Sequence, residues 1–136
     1  MSGLGDVLSG SSLIVAILVA FYTIWQPGIA VAKNANVPND KANRGPAQAL
    51  VSAAGWKVGP LFVIALVTCS LLGKRSFTIV ANAIDCATGQ AVSAQCEYDD
   101  AAALFLIIEI SLIVLTAVLA ADAWAINAKG KEVKGK

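Results

Sequence analysis

Residues 101–126, AAALFLIIEISLIVLTAVLAADAWAI, run for 26 positions in which Glu109 and Asp122 are the charged side chains. A helix rises 1.5 Å per residue, so about 20 residues cross the roughly 30 Å of hydrocarbon in a bilayer. The stretch is long enough to span, and it is apolar all round rather than along one face, unlike a soluble amphipathic helix. Trp124 and the lysines that follow form an ordinary interfacial ending. Two further runs share this character, 13–32 with 20 residues and 58–73 with 16. The three runs hold 62 of the 136 residues but two of the 19 charges, and the other 74 residues carry 17. Overall the chain is 57% apolar and 14% charged, against roughly 45–50% and 25% in a soluble domain. The partition predicts an all-α integral membrane protein with three transmembrane helices in a single membrane domain.

In the first span, 13–32, the polar side chains are Tyr22, Thr23 and Gln26. Tyr22 and Trp25 suit an interfacial aromatic belt, and Pro27 removes a backbone donor, which predicts a kink or an end to the helix. The second run allows two readings. In one, a tilted helix starts at Pro46 and reaches Gly73, with Lys57 snorkelling beside Trp56. In the other, 47–55 lies along the interface and the span begins near Trp56, with Pro60 favouring a break. The working assignment is spans at about 13–32, 56–73 and 101–126, loops at 33–55 and 74–100, and a lysine-rich tail at 127–136. Ala30-Val31-Ala32 fits a signal-peptidase site, but the first twelve residues hold no lysine or arginine and contain Asp6, so the first helix is expected to be retained.

Basic residues orient the spans. Lys33, Lys41, Arg44 and Lys57 in the first loop join Lys129, Lys131, Lys134 and Lys136 in the tail, while the other side holds Lys74 and Arg75. By the positive-inside rule the first loop and the C-terminus are cytoplasmic, and the N-terminus and the loop 74–100 face outward, in the plasma or inner membrane. That outer loop contains Cys86 and Cys96 around Thr88-Gly89-Gln90. Disulfides persist outside the cytoplasm, so a Cys86–Cys96 bridge closing the loop is expected. Cys69, inside the second span, reads as a small packing residue.

Histidine is absent, which removes the commonest ligand for transition metals and the most frequent general base. The cysteines have no CxxC spacing, and there is no Walker loop, GxGxxG or GxSxG. No metal, cofactor or catalytic residue is expected, and the net charge of +1, with its scattered basic residues, gives no footprint for nucleic acid. The remaining partners are the lipid bilayer and other membrane subunits or copies of this chain.

Glu109 falls about eight residues into the third span, a costly depth for a carboxylate unless it faces protein or water. Helical steps from it reach Leu112 or Ile113 and then Thr116, marking an intramembrane polar site. Its functional reading is a proton or cation site; its structural reading is a hydrogen-bonded glutamate that fixes a helix contact. Gly55 and Gly59 form a GxxxG, and Ala117, Ala121 and Ala125 form a stripe at four-residue spacing. Small residues let helix backbones approach closely, so both patterns point to association.

These features predict a non-catalytic structural or accessory subunit of a larger membrane assembly, not an enzyme. A membrane coat or scaffold protein of a lipid-containing particle is a variant of the same idea. In topology alone, three spans with an outward N-terminus and a short lysine-rich inward tail resemble the phage class I holins, which implies a self-assembling pore-former. Loops in those holins are short, whereas the first loop here is long. A third expectation is a proton- or cation-coupled carrier using Glu109.

Overall fold

The computed structural model describes residues 2–89 and 100–135, and these fold into three long helices. Helix α1 covers Ser2–Lys33, α2 Gly45–Ala87 and α3 Asp100–Lys134, with a 3-10 turn at Lys41–Asn43 between the first two. Each helix has a window hydrophobic enough to cross a membrane. At 1.5 Å per residue they measure about 48, 64 and 52 Å, so each exceeds the roughly 30 Å of hydrocarbon.

Several element boundaries differ from those expected. Helix α2 starts at Gly45 and runs unbroken to Ala87, so 45–55 is helix rather than loop and the expected interfacial break disappears. Pro46 stands in the first turn, where its missing N–H costs nothing. The segment 74–87, read as loop because it is polar, continues the same helix, its side chains largely exposed. Polarity excludes a stretch from hydrocarbon but does not stop a helix, and 74–87 contains no proline. The tail is likewise helical to Lys134. Pro27 and Pro60 both lie inside helices without ending them. Both rings sit on exposed faces, where they intrude on no seam between helices.

The helices associate along seams with one spacing. Buried and half-buried positions fall at Ser11, Val15, Leu18, Tyr22, Trp25, Ile29 and Ala32 in α1. In α2 they fall at Ala47, Val51, Ala54, Val58, Leu61, Ala65, Thr68 and Leu72. In α3 the buried positions are Phe105, Glu109, Leu112, Leu115, Leu119, Asp122, Ile126 and Val133. The α1 and α2 series alternate steps of four and three, and in α3 Phe105, Leu112, Leu119, Ile126 and Val133 recur every seven residues, a mean period of 3.5 that keeps a seam facing its neighbours when helices wrap gently with a left-handed twist. Such crossings are the common geometry of membrane bundles. Helix α3 packs most extensively on α2, and α1 touches both.

Close contacts set the register. A Cβ added at Gly55 would lie 3.7 Å from Ile126 Cγ2, one at Gly130 would lie 3.7 Å from Val51 Cγ1, and one at Gly73 would lie 3.8 Å from Glu109 Oε1. Residue 55 thus pairs with 126, 51 with 130 and 73 with 109, so α2 and α3 are antiparallel. All three are ordinary van der Waals distances.

Candidate functional site

The polar side chains within the apolar runs divide between the surface, where Thr23, Gln26, Ser70 and Ser111 are exposed, and the bundle interior. Tyr22, Thr68, Glu109, Thr116 and Asp122 all lie on faces turned toward neighbouring helices, and Glu109 and Asp122 are 4% and 5% exposed. Lipid solvates no polar group, so the bundle interior is where such groups find partners.

Asp122 finds two. Its Oδ1 accepts from Lys33 Nζ at 2.6 Å, and its Oδ2 accepts from the Tyr22 hydroxyl at 2.9 Å. Tyr22 and Lys33 are eleven residues apart on α1, three turns of the helix, and therefore share a face. A single carboxylate on α3 clamps both ends of that stretch. Charge-assisted bonds of this kind are stronger than neutral ones. Although the lysine tail follows Asp122 closely in sequence, both partners come from α1. Within the tail Lys129 instead pairs with Glu132 at 3.2 Å and donates to the Ala35 carbonyl at 3.4 Å.

Glu109 has a different setting. Its Oε1 is 3.6 Å from the Cys69 thiol of α2, a weak donor, and its Oε2 is buried with no hydrogen-bond partner among the described residues. Gly73 provides the room beside the carboxyl group. Ser76, on the same face of α2 one turn beyond Gly73, also has a buried hydroxyl without a partner. Thr116 shares the Glu109 seam but stands seven residues away, and its hydroxyl donates to the Leu112 carbonyl at 2.7 Å. The structure therefore brings Glu109 together with Cys69 and Gly73 rather than with Thr116.

Small residues divide between inside and outside. Gly55 meets Ile126 across the α2–α3 seam, while a Cβ at Gly59 would touch nothing within 4 Å. Both line a cleft of about 400 Å³ between α2 and α3, together with Gln48, Val51, Asn127 and Gly130. Ala117 and Ala121 are exposed and Ala125 is half-buried. From Leu119, in the α3 seam, steps of 100° carry Ala117 and Ala121 to the opposite face.

Tertiary structure also levels the tryptophans. With 55 against 126, Trp56 stands beside residue 125, level with Trp124, and the two are 84% and 75% exposed. Gly28 of α1 approaches Lys57 of α2, with 3.9 Å between a Cβ there and Nζ, which puts Trp25 about one turn away from that level. Trp25 also packs on Phe21, with ring centroids 5.3 Å apart. Amphipathic rings gathered at one height are the signature of a membrane interface.

Three elements of this arrangement escape sequence reasoning. Tyr22 reads as a belt aromatic, Lys33 as the edge of a loop and Asp122 as a charge near the end of a span. The one signal that joins them is that Tyr22 falls in the four-three series Ser11 to Ala32, a series hidden among apolar neighbours. The expected Cys86–Cys96 bridge involves Cys96, which lies outside the described residues, as do all of residues 90–99. Comparison with protein-family models, curated proteins and solved structures finds no match to this chain.

Proposed function

We propose that the chain is a non-catalytic structural or accessory subunit of a larger assembly in the plasma or inner membrane. The observation that carries this reading is the outward position of the Ala117–Ala121–Ala125 stripe. The bundle closes its own seams with other residues, and Ala117 and Ala121 remain on the face of α3 turned away from α1 and α2, with Ala125 half-buried at its edge. In lipid, where apolar surface alone drives no association, close backbone approach at small residues is the main attraction on offer. The partner is a helix of another subunit or of a second copy.

The proposed topology keeps the N-terminus outside and the C-terminus in the cytoplasm. The level of Trp56 and Trp124 supports one membrane boundary, and the basic residues clustered beyond it support its being the cytoplasmic one. A Cys86–Cys96 bridge belongs to this reading. Cys69 is the free cysteine of the described residues, whereas Cys86 is not free.

Cross-linking tests the proposal. With Ala121→Cys in native membranes, a bifunctional thiol reagent is expected to give a discrete product larger than the chain, and Ala121→Leu to disperse the assembly. A chain that stays monomeric in both experiments would sink the subunit reading. A second reading, a proton- or cation-coupled carrier, draws on one observation, the unpartnered Oε2 of Glu109. Glu109→Gln then abolishes coupled flux in reconstituted vesicles while leaving assembly intact; loss of assembly instead makes the residue structural.

A further inference from the structure

We infer that the end of the bundle beyond the tryptophan level binds the phosphate of anionic phospholipid headgroups through Lys41, Arg44 and Lys131. These three side chains, with Ala128, Glu132 and Gly135, line a cavity of about 440 Å³ where the turn after α1 meets the end of α3. The inference goes beyond the subunit reading and rests only on the helices spanning a membrane.

The charges in this cavity are not compensated from within. The ion pairs among the described residues are Lys33–Asp122 and Lys129–Glu132, so the Glu132 carboxylate at the cavity wall is already engaged. Asp40, the other nearby acid, accepts from the Ala42 backbone at 3.1 Å and the Asn43 side chain at 3.4 Å, capping the 3-10 turn. Arg44 is held in place by carbonyls, donating from Nε to Pro38 at 2.9 Å, from Nη1 to Val133 at 3.4 Å and from Nη2 to Asn39 at 3.4 Å. Carbonyls position a guanidinium without neutralising it, and two of its five N–H donors are left over. Gly135 takes a φ of 79° as the chain curls over this group, and a Cβ there would stand 3.0 Å from Arg44 Nη1. The arrangement is a fixed guanidinium flanked by two mobile ammonium groups, which suits a tetrahedral oxyanion.

Depth identifies the source of that oxyanion. Lys131 is seven residues beyond Trp124, about 10 Å along the helix. The headgroup layer occupies about 5–8 Å on each side of the hydrocarbon, and a lysine side chain reaches back several ångströms. Lys131 thus reaches back to the level of the phospholipid phosphates, and Arg44, held at the Val133 carbonyl about 14 Å beyond Trp124, faces them from the water side.

The test uses the full-length chain in mild detergent, with equal amounts of phosphatidylcholine and phosphatidylglycerol, and reads the retained lipid by native mass spectrometry. Phosphatidylglycerol is expected to be retained at least tenfold over phosphatidylcholine, and less so as salt is raised. Each lysine near an anionic surface contributes about fivefold, so Lys41→Gln/Lys131→Gln, which leaves Arg44 and its carbonyl bonds untouched, brings retention close to parity. Equal retention by the native chain overturns the inference, as does a double variant that keeps the preference. Displacement of the lipid by inorganic phosphate or by an oligonucleotide also overturns it, by assigning the cavity to a soluble anion. Insertion into bilayers of both lipids without headgroup preference removes this inference alone, whereas failure to insert into either removes the membrane-spanning reading with it.

Discussion

Asp122 and Glu109 are both carboxyl groups on α3, both almost fully buried, and thirteen residues apart, yet the bundle treats them differently. Asp122 lies near the tryptophan level and is bracketed by a cation and a hydroxyl from α1. Glu109 lies deeper, faces α2 and has a single thiol contact. Burial alone therefore says little about what an acid contributes. At Asp122 the buried charge holds two helices together; at Glu109 a polar atom sits in the interior with nothing to offset its desolvation.

The contrast can be broken most directly at the paired acid. Removing one partner of a buried ion pair costs about 3–5 kcal/mol, and Lys33 keeps a side chain 39% exposed that water can recover. Asp122→Asn is thus expected to lower stability by about 2–3 kcal/mol, read from denaturant unfolding in micelles by circular dichroism. A loss under half of that would mean the ion pair is solvated enough to contribute little.

A change of opposite sign is expected at the other acid. Glu109→Met is near in volume and removes the unpartnered oxygen, so stability rises by about 1 kcal/mol. If the variant instead unfolds more readily, the carboxyl group has a partner that offsets its burial, and the difference between the two sites collapses. Tyr22→Phe isolates the hydroxyl's share of the clamp. A hydrogen bond inside a membrane bundle contributes about 0.6–1.7 kcal/mol, so a loss of about 1 kcal/mol is expected in the same unfolding assay, and the loss disappears when the substitution is made on Asp122→Leu.

The smallest effect belongs to the space beside Glu109. A Cβ at Gly73 lies 3.8 Å from Glu109 Oε1, an ordinary contact, so Gly73→Ala meets no clash and raises stability by about 0.5 kcal/mol, the low end of alanine's advantage over glycine inside a helix. Gly73→Val, which pushes atoms into the carboxyl group, is the sharper probe: in the Glu109→Met background its cost changes if the two sites touch.

Much of the fold is legible along the chain because hydrocarbon imposes a demand that composition meets or fails over about 20 residues at a time. The 26 residues of 101–126 show it without knowledge of any neighbour. The ends of the helices are less legible. Residues 74–87 are too polar for lipid, yet α2 continues through them to Ala87, because helix persistence depends on propensity and backbone bonding rather than on the solvent. Prolines mislead for a related reason: Pro27 and Pro60 remove one backbone donor each but face outward, and the helix continues through them.

The candidate site was visible in part. Glu109 stands out in the sequence as a deep charge, whereas its nearness to Cys69 and Gly73 follows from a register set by side-chain packing. The Asp122–Lys33–Tyr22 clamp joins residues 89 and 100 positions apart. In runs where nearly every position is apolar, hydrophobic periodicity carries no signal, so the seams do not stand out from the lipid-facing sides.

The sequence by itself determined that three segments of this protein are apolar enough to cross a membrane and that its basic residues gather in the first loop and the tail. Those properties depend on the transfer of each residue between water and hydrocarbon, which is local. Only the tertiary structure decided which faces meet, that Trp56 and Trp124 share a level, that one buried acid is clamped and the other left with a thiol, and that Lys41, Arg44 and Lys131 converge. Those depend on helix register, which shape complementarity across a 3.5-residue seam selects.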